Sequence, residues 1–193
     1  LAEVYKRLEI PVRFVETPGM QSLQMSSAGD FAGETLRIAG LTQKYPDLLQ
    51  VEPPVAYLKS AVFIRRNSWV RIEKPDDLRR YTIAYLDGIV HAKLLGQFAR
   101  KAMPMPMPTR AHAFRALESG DVDAVIMAQV SGQIACRRGG FHNVSHEPTV
   151  LQTTRVHHYI HRKHAHLLPL VSAETAALKA SGEANALFMT RAN

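Results

Sequence analysis

Five histidines fall within ten residues: His157, His158, His161, His164 and His166. Imidazole is a common metal ligand and the side chain best suited to proton transfer near neutral pH, and spacing of i, i+3 on a helix would bring two rings together. The pattern around them changes from strand to helix near Arg162, which would scatter the rings over different faces, so no metal site is expected. His142 and His146 read as loop residues. Cys136 is the only cysteine, which excludes an intramolecular disulfide, a cysteine-based metal site and a dithiol pair. Nucleophile elbows, phosphate loops and zincin motifs are all absent: there is no G-x-S-x-G, G-x-x-x-x-G-K-[ST] or H-E-x-x-H. Asp76-Asp77 reads as helix N-terminal charge, and Asp121 and Asp123 straddle a turn and a strand start. No catalytic residue and no cofactor is expected from these patterns.

One short segment does present anion chemistry. Gly88, Ile89 and Val90 stand where a strand ends and a helix begins, a place where free N–H groups and the helix dipole attract negative charge. Gly88 would let a backbone come close, although a plain turn glycine fits the same position.

The whole chain leans the same way. Its 24 Lys and Arg against 17 Asp and Glu give a net charge of +7 over 193 residues. That balance suits an anionic ligand, a membrane surface or nucleic acid. The basic residues occur in pairs such as Arg65-Arg66, Arg79-Arg80 and Arg137-Arg138 and never form a long run, so a nucleic-acid partner is not expected. No apolar stretch approaches the roughly 18 residues of a membrane span. The opening LAEVYKRLEI reads as an amphipathic helix and not a signal peptide, so export would imply that a signal has already been removed.

The elements that must position these residues follow from the switching hydrophobic period. Leu1, Val4, Tyr5 and Leu8 mark a helical face, and Val12 to Val15 alternates like a strand ending at Thr17-Pro18-Gly19. A helix over Ser22 to Ala28 and a strand near Thr35 to Ile38 follow. Residues 41–56 are loop-rich, and Tyr57 to Ile64 is a long strand. Lys74-Pro75-Asp76-Asp77 starts a helix. A strand over Tyr81 to Leu86 leads to a helix over Val90 to Ala102. The Met-Pro alternation of Met103 to Thr109 restricts any strand there to a sheet edge. Arg110 to Leu117 is a helix, Val122 to Met127 a buried strand, and Ser131 to Cys136 a helix. Residues 66–154 therefore alternate strand and helix, the order that builds a parallel sheet with flanking helices. A strand at Thr153 to Ile160 and a helix from about Lys163 complete the chain.

Several segments, in order, resemble the family 3 extracellular solute-binding proteins, the polar amino-acid receptors of ABC importers. Val12 to Ile38 (VRFVETPGMQSLQMSSAGDFAGETLRI) is similar to the family's strand, helix and G-x-x-D-G-x-x-x-R segment. Tyr81 to Leu95 resembles the opening of its second lobe, and Leu117 to Met127 (LESGDVDAVIM) its L-x-x-G-x-V-D-A-V-I signature. Tyr159 to Leu167 resembles the returning strand and helix. The resemblance implies an α/β fold of the periplasmic-binding-protein type II kind. Lobe 1 would be residues 1–65 plus 155–193 and lobe 2 residues 66–154, hinged near Ala61 to Arg66 and Arg155 to Ile160. The family begins with a strand and loop upstream of its first helix, whereas this chain starts inside that helix. A fragment or an incomplete first lobe is therefore implied.

For function, the resemblance implies a monomeric periplasmic receptor that closes on a small polar or anionic ligand and serves an ABC permease. A sensory domain is the alternative, and a dehydratase on the same fold a more distant one. Arg37 is similar to the family's carboxylate-binding arginine, whose planar fork makes two charge-assisted hydrogen bonds; a surface arginine beside Glu34 is the competing reading. Gln21, Tyr57, Gly88, Ile89, Val90 and Gln129 complete the implied ligand-binding set. Two family positions have lost their acids: the one that holds a ligand ammonium falls at Ala128, and the aspartate of the glycine-rich segment at Ala32. A buried ammonium without a partner is costly, so a carboxylate, a keto acid or another small anion fits the remaining charges better than a standard α-amino acid.

Overall fold

The computed structural model describes residues 1–86 and 104–183. In chain order its elements are α1 (Ala2–Arg7), α2 (Gly19–Ala28), β1 (Gly33–Ile38), β2 (Leu48–Gln50), β3 (Ala56–Arg65), β4 (Ile83–Leu86), β5 (Pro104–Met107), α3 (Arg110–Ser119), β6 (Ala124–Ala128), α4 (Gln129–Gly139), β7 (Val144–His161) and α5 (Leu168–Ala180). Short 3₁₀ turns lie at Leu41–Gln43, Pro75–Arg80 and Arg162–Leu167. The chain divides into two compact units, one of Leu1–Tyr57 with Arg155–Asn193 and the other of Leu58–Thr154.

The first unit is organised on the last residues of β7. Both β1 and β2 pair with this stretch in antiparallel fashion, Gly33 opposite Ile160 and Leu48 opposite His161. Val4 and Tyr5 of α1 pack with Val51, Ile160, Val171 and Leu178, so α1 and α5 share one apolar core. A smaller cluster joins Leu23 of α2 to Leu48 and Tyr159. At Gly33 the two strands come so close that a Cβ would collide with the carbonyl oxygen of Tyr159. The β1–β7 register then shifts between Glu34 and Arg37, a bulge of the kind that re-aims side chains.

One expected strand does not form. Val12 to Val15 has the right alternation but carries no strand assignment, and Val12, Phe14 and Val15 are 44%, 48% and 50% exposed. The reason is the lack of a ladder partner. Val12 to Val15 and Gly33 to Thr35 both line a recess of about 150 Å³, and no ladder pairing joins the segment to β1. A strand needs a neighbour at about 4.8 Å to satisfy its backbone groups.

In the second unit the strands run in the order β3, β6, β4, β5. β4 pairs in parallel with both β5 and β6, and β3 is antiparallel to β6. The Met-Pro strand β5 is the edge, as the missing proline N–H groups require. The continuous apolar run in β6 has a direct cause. Ala124 and Ile126 face one core with Val62, Ile64, Val70 and Ile72. Val125 and Met127 face another with Ala61, Phe63, Phe114 and Leu117. Both faces are covered, so neither can be polar. α3 ends at Gly120, whose φ of 90° suits a left-handed cap. The expected helix over Val90 to Ala102 lies outside the described residues. The strand expected from Thr153 begins earlier, at Val144, and this places His146 in β7 and not in a loop. Its neighbour Val144 is buried against Phe63 and Val125, an anchor that the polar sequence around it conceals.

Replacing Gly33 by alanine is expected to destabilise the protein by about 1–3 kcal/mol, the usual cost of forcing extra atoms into a closed contact. Urea denaturation checks this; an unchanged midpoint would mean that β1 and β7 do not meet so closely.

Candidate functional site

Serines at positions 22 and 26 stand one helical turn apart on α2 and share a face. That face meets Glu34, the second residue of β1, whose side chain is only 5% exposed. Glu34 Oε1 accepts from Ser22 Oγ at 2.6 Å and from Ser26 Oγ at 2.8 Å. Its Oε2 accepts from Arg37 Nε at 2.8 Å. A buried carboxylate is costly unless paired and hydrogen-bonded, and here three donors meet it. Arg37 Nη2 donates to the Gly19 carbonyl at 2.6 Å, which ties the start of α2 to β1. These bonds use two of the five guanidinium N–H groups, on a side chain that is a quarter exposed.

A second polar group lies beside the first. His158 Nδ1 is 2.7 Å from the Glu34 carbonyl oxygen, and its Nε2 is 2.6 Å from the Tyr5 hydroxyl. A carbonyl can only accept, so Nδ1 carries the proton and Nε2 accepts from Tyr5, the arrangement of a neutral ring. Burial pushes His158 below the ordinary histidine value, against the pull of its bond to Glu34. Burial likewise raises the Tyr5 phenol to about 12. Tyr5, Arg13, Ser22, Glu34 and His158 all line the recess beside β1.

The other residues singled out by the sequence are dispersed. Gln21 is exposed on α2, two positions beyond the carbonyl that Arg37 binds. Tyr57 is exposed on β3, with Lys179 Nζ 5.0 Å from its ring centre. Gln129 opens α4 in the second unit and lies 3.2 Å from His146 Nε2. Gly88, Ile89 and Val90 lie outside the described residues. Ala32 contributes a carbonyl that accepts from the His161 N–H, and Ala128 ends β6 opposite Ser60.

The histidine group separates in the same way. His157 Nδ1 is 3.1 Å from the Val51 carbonyl, and His161 Nδ1 accepts from the Lys163 N–H at 3.2 Å. His164 and His166 stand 6.4 Å apart, ring to ring. Among the described residues no three His, Cys, Asp or Glu side chains are set to hold a metal ion. Of the four aspartates the sequence brings forward, Asp77 accepts from the N–H groups of Glu73 and Lys74 and Asp123 from that of Thr82, while Asp76 pairs with Arg79 and Asp121 accepts from the Ser119 hydroxyl.

No protein-family model matches the chain, and no curated protein matches it. Solved structures do. A histidine kinase sensor domain with similarity to periplasmic binding proteins superposes with a TM-score of 0.77 at 22% identity, covering 98% of this chain and 82% of that one. The GluR0 ligand-binding core in complex with L-glutamate gives 0.82 at 11% identity, over 98% and 85%. The substrate-binding protein of an amino acid ABC transporter gives 0.72 at 16% identity, over 96% and 82%. The chain therefore has the α/β fold of type II periplasmic binding proteins. No helix among the described residues is long and apolar enough to cross a membrane.

Removing the Arg37 side chain strips a donor from a buried carboxylate, so Arg37→Ala is expected to lower stability by about 1–3 kcal/mol; a melting curve identical to the wild type would show that the serines suffice. The buried pair also sets a pH dependence. Above about pH 6.5, His158 is neutral folded and unfolded, and its contribution is intact. As pH falls, the unfolded ring takes a proton that the native ring resists, so stability drops. Tyr5 acts at the other end, its contribution intact below about pH 10 and lost as pH rises towards about 12. Urea midpoints across pH should show a shallower acid limb in His158→Gln than in the wild type; equal limbs would assign the acid sensitivity to other groups.

Proposed function

We propose that this protein is an extracytoplasmic solute-binding protein that captures a small polar or anionic ligand, an amino acid-like molecule or carboxylate, for ABC-type uptake. The supporting observation is the fold it shares with ligand-binding proteins, one bound to L-glutamate and one the substrate-binding protein of an amino acid ABC transporter. Arg37 is the residue assigned to the ligand's carboxylate. It is preorganised by Glu34 and the Gly19 carbonyl, so fewer rotamers are lost when the rest of its fork engages a ligand. In this reading Gln21, Tyr57, the N–H groups from Gly88 to Val90, and Gln129 add polar contacts. The ligand acts by binding the closed form better than the open one, with residues near Ala61 to Arg66 and Arg155 to Ile160 as the hinge.

A second reading, an extracytoplasmic sensory domain, is favoured by the 22% identity to a histidine kinase sensor domain. There, closure transmits a signal and delivers no cargo. A transporter gene beside this one would support the first reading, and a kinase module on the same polypeptide the second.

A thermal-shift screen against amino acids, small carboxylates and keto acids is expected to find a compound that raises the melting temperature with concentration, as binding to the native state alone requires. Arg37→Ala should then weaken that compound by roughly 2–3 kcal/mol. A folded protein that responds to no compound would contradict the reading, and unchanged affinity in the variant would remove Arg37 from it.

A further inference from the structure

Trp69 is the chain's only tryptophan, and it is 70% exposed. Its loop is built to present it. Val70 and Ile72 on its C-terminal side are fully buried and pin the backbone. Arg71 Nη1 donates to the carbonyls of Ser68 at 3.1 Å and Val70 at 2.8 Å. The Tyr81 hydroxyl accepts from the Arg71 N–H at 3.2 Å and donates to the Arg71 carbonyl at 3.3 Å. The indole leans on the Tyr81 ring at 5.4 Å between centres. A large apolar side chain held outward in this way forgoes the gain of burial.

Its surroundings are cationic. Arg66, Arg71, Lys74, Arg79 and Arg80 are all exposed between positions 66 and 80, and the last two directly precede the tyrosine on which Trp69 leans. Three acids share the stretch, Glu73, Asp76 and Asp77, and Glu73 is exposed. Asp76 pairs with Arg79 at 3.1 Å, and Asp77 is occupied with the backbone N–H groups of Glu73 and Lys74. The chain as a whole carries +7. An indole with an apolar body and one N–H donor, in a stretch of chain with exposed arginines before and after it, matches the headgroup level of an anionic bilayer, where phosphates meet arginine and the ring lies at the interface.

We infer that the Trp69 loop is a docking surface for an anionic membrane. Indole enters the headgroup region while Arg66, Arg71 and Arg80 meet lipid phosphates, giving a reversible contact that salt weakens.

Because Trp69 is the sole tryptophan, intrinsic emission of the full chain reports this site directly. Vesicles of equal phosphatidylcholine and phosphatidylglycerol should shift the emission to the blue, and high salt should reverse the shift; vesicles of phosphatidylcholine alone should leave it unchanged. In co-sedimentation, Arg80→Glu should weaken binding at least about fivefold more than Lys163→Glu, which makes the same charge change elsewhere. Trp69→Ala should weaken binding with the melting temperature preserved. Absence of an emission shift with the anionic vesicles overturns the inference. So do equal losses in the two charge variants, which would leave only attraction by net charge. A shift produced by polyglutamate and not by vesicles would overturn it in favour of an acidic protein surface.

Discussion

The Glu34 carboxylate is the constraint on which the first unit's polar architecture rests. A charge this deeply buried must be met by donors, and the donors come from two directions: Ser22 and Ser26 on α2, and Arg37 three residues along its own strand. Satisfying Glu34 therefore positions α2 against β1. It also holds the Arg37 fork in one place. The same residue's carbonyl fixes the His158 tautomer, and through it the Tyr5 hydroxyl of α1. One strand position thus links α1, α2, β1 and β7. The bulge between Glu34 and Arg37 lies within this linkage.

Elements whose cause is local were legible in the sequence. The α3 helix stops at Gly120 because a left-handed residue was needed there, the Met-Pro strand lies at an edge because proline cannot donate, and β6 is apolar throughout because both its faces are covered. Val12 to Val15 departs from its pattern for the opposite reason. Its alternation is a local signal, but a strand exists only when another strand supplies hydrogen bonds, and none pairs with this segment among the described residues. His146 falls in β7 and not in a loop because the strand opens at Val144, whose burial depends on contacts with residues distant in sequence, Phe63 and Val125.

The candidate site was legible in part. Arg37 and the nearby Glu34 were both visible, yet the sequence posed them as alternatives, a ligand-binding arginine or a surface arginine beside an acid. In the structure Arg37 pairs with Glu34, and that acid is buried, so the pairing orders the guanidinium and engages only two of its N–H groups. The signal that could have revealed Glu34 was the i, i+4 pair Ser22 and Ser26 on α2. The adjacent His157 and His158 part because side chains on successive residues of a strand point to opposite faces. His157 and His158 accordingly reach Val51 and Tyr5, on different elements.

The most direct test of the central claim is the ¹⁵N resonance of Arg37 Nε, assigned by its loss in Arg37→Lys, followed by NMR during titration with amino acids and small carboxylates. One carboxylate-bearing compound is expected to move this resonance saturably, with an affinity that matches its thermal effect. Saturable binding that leaves Arg37 unmoved, or no binding by any compound to the folded protein, would contradict it.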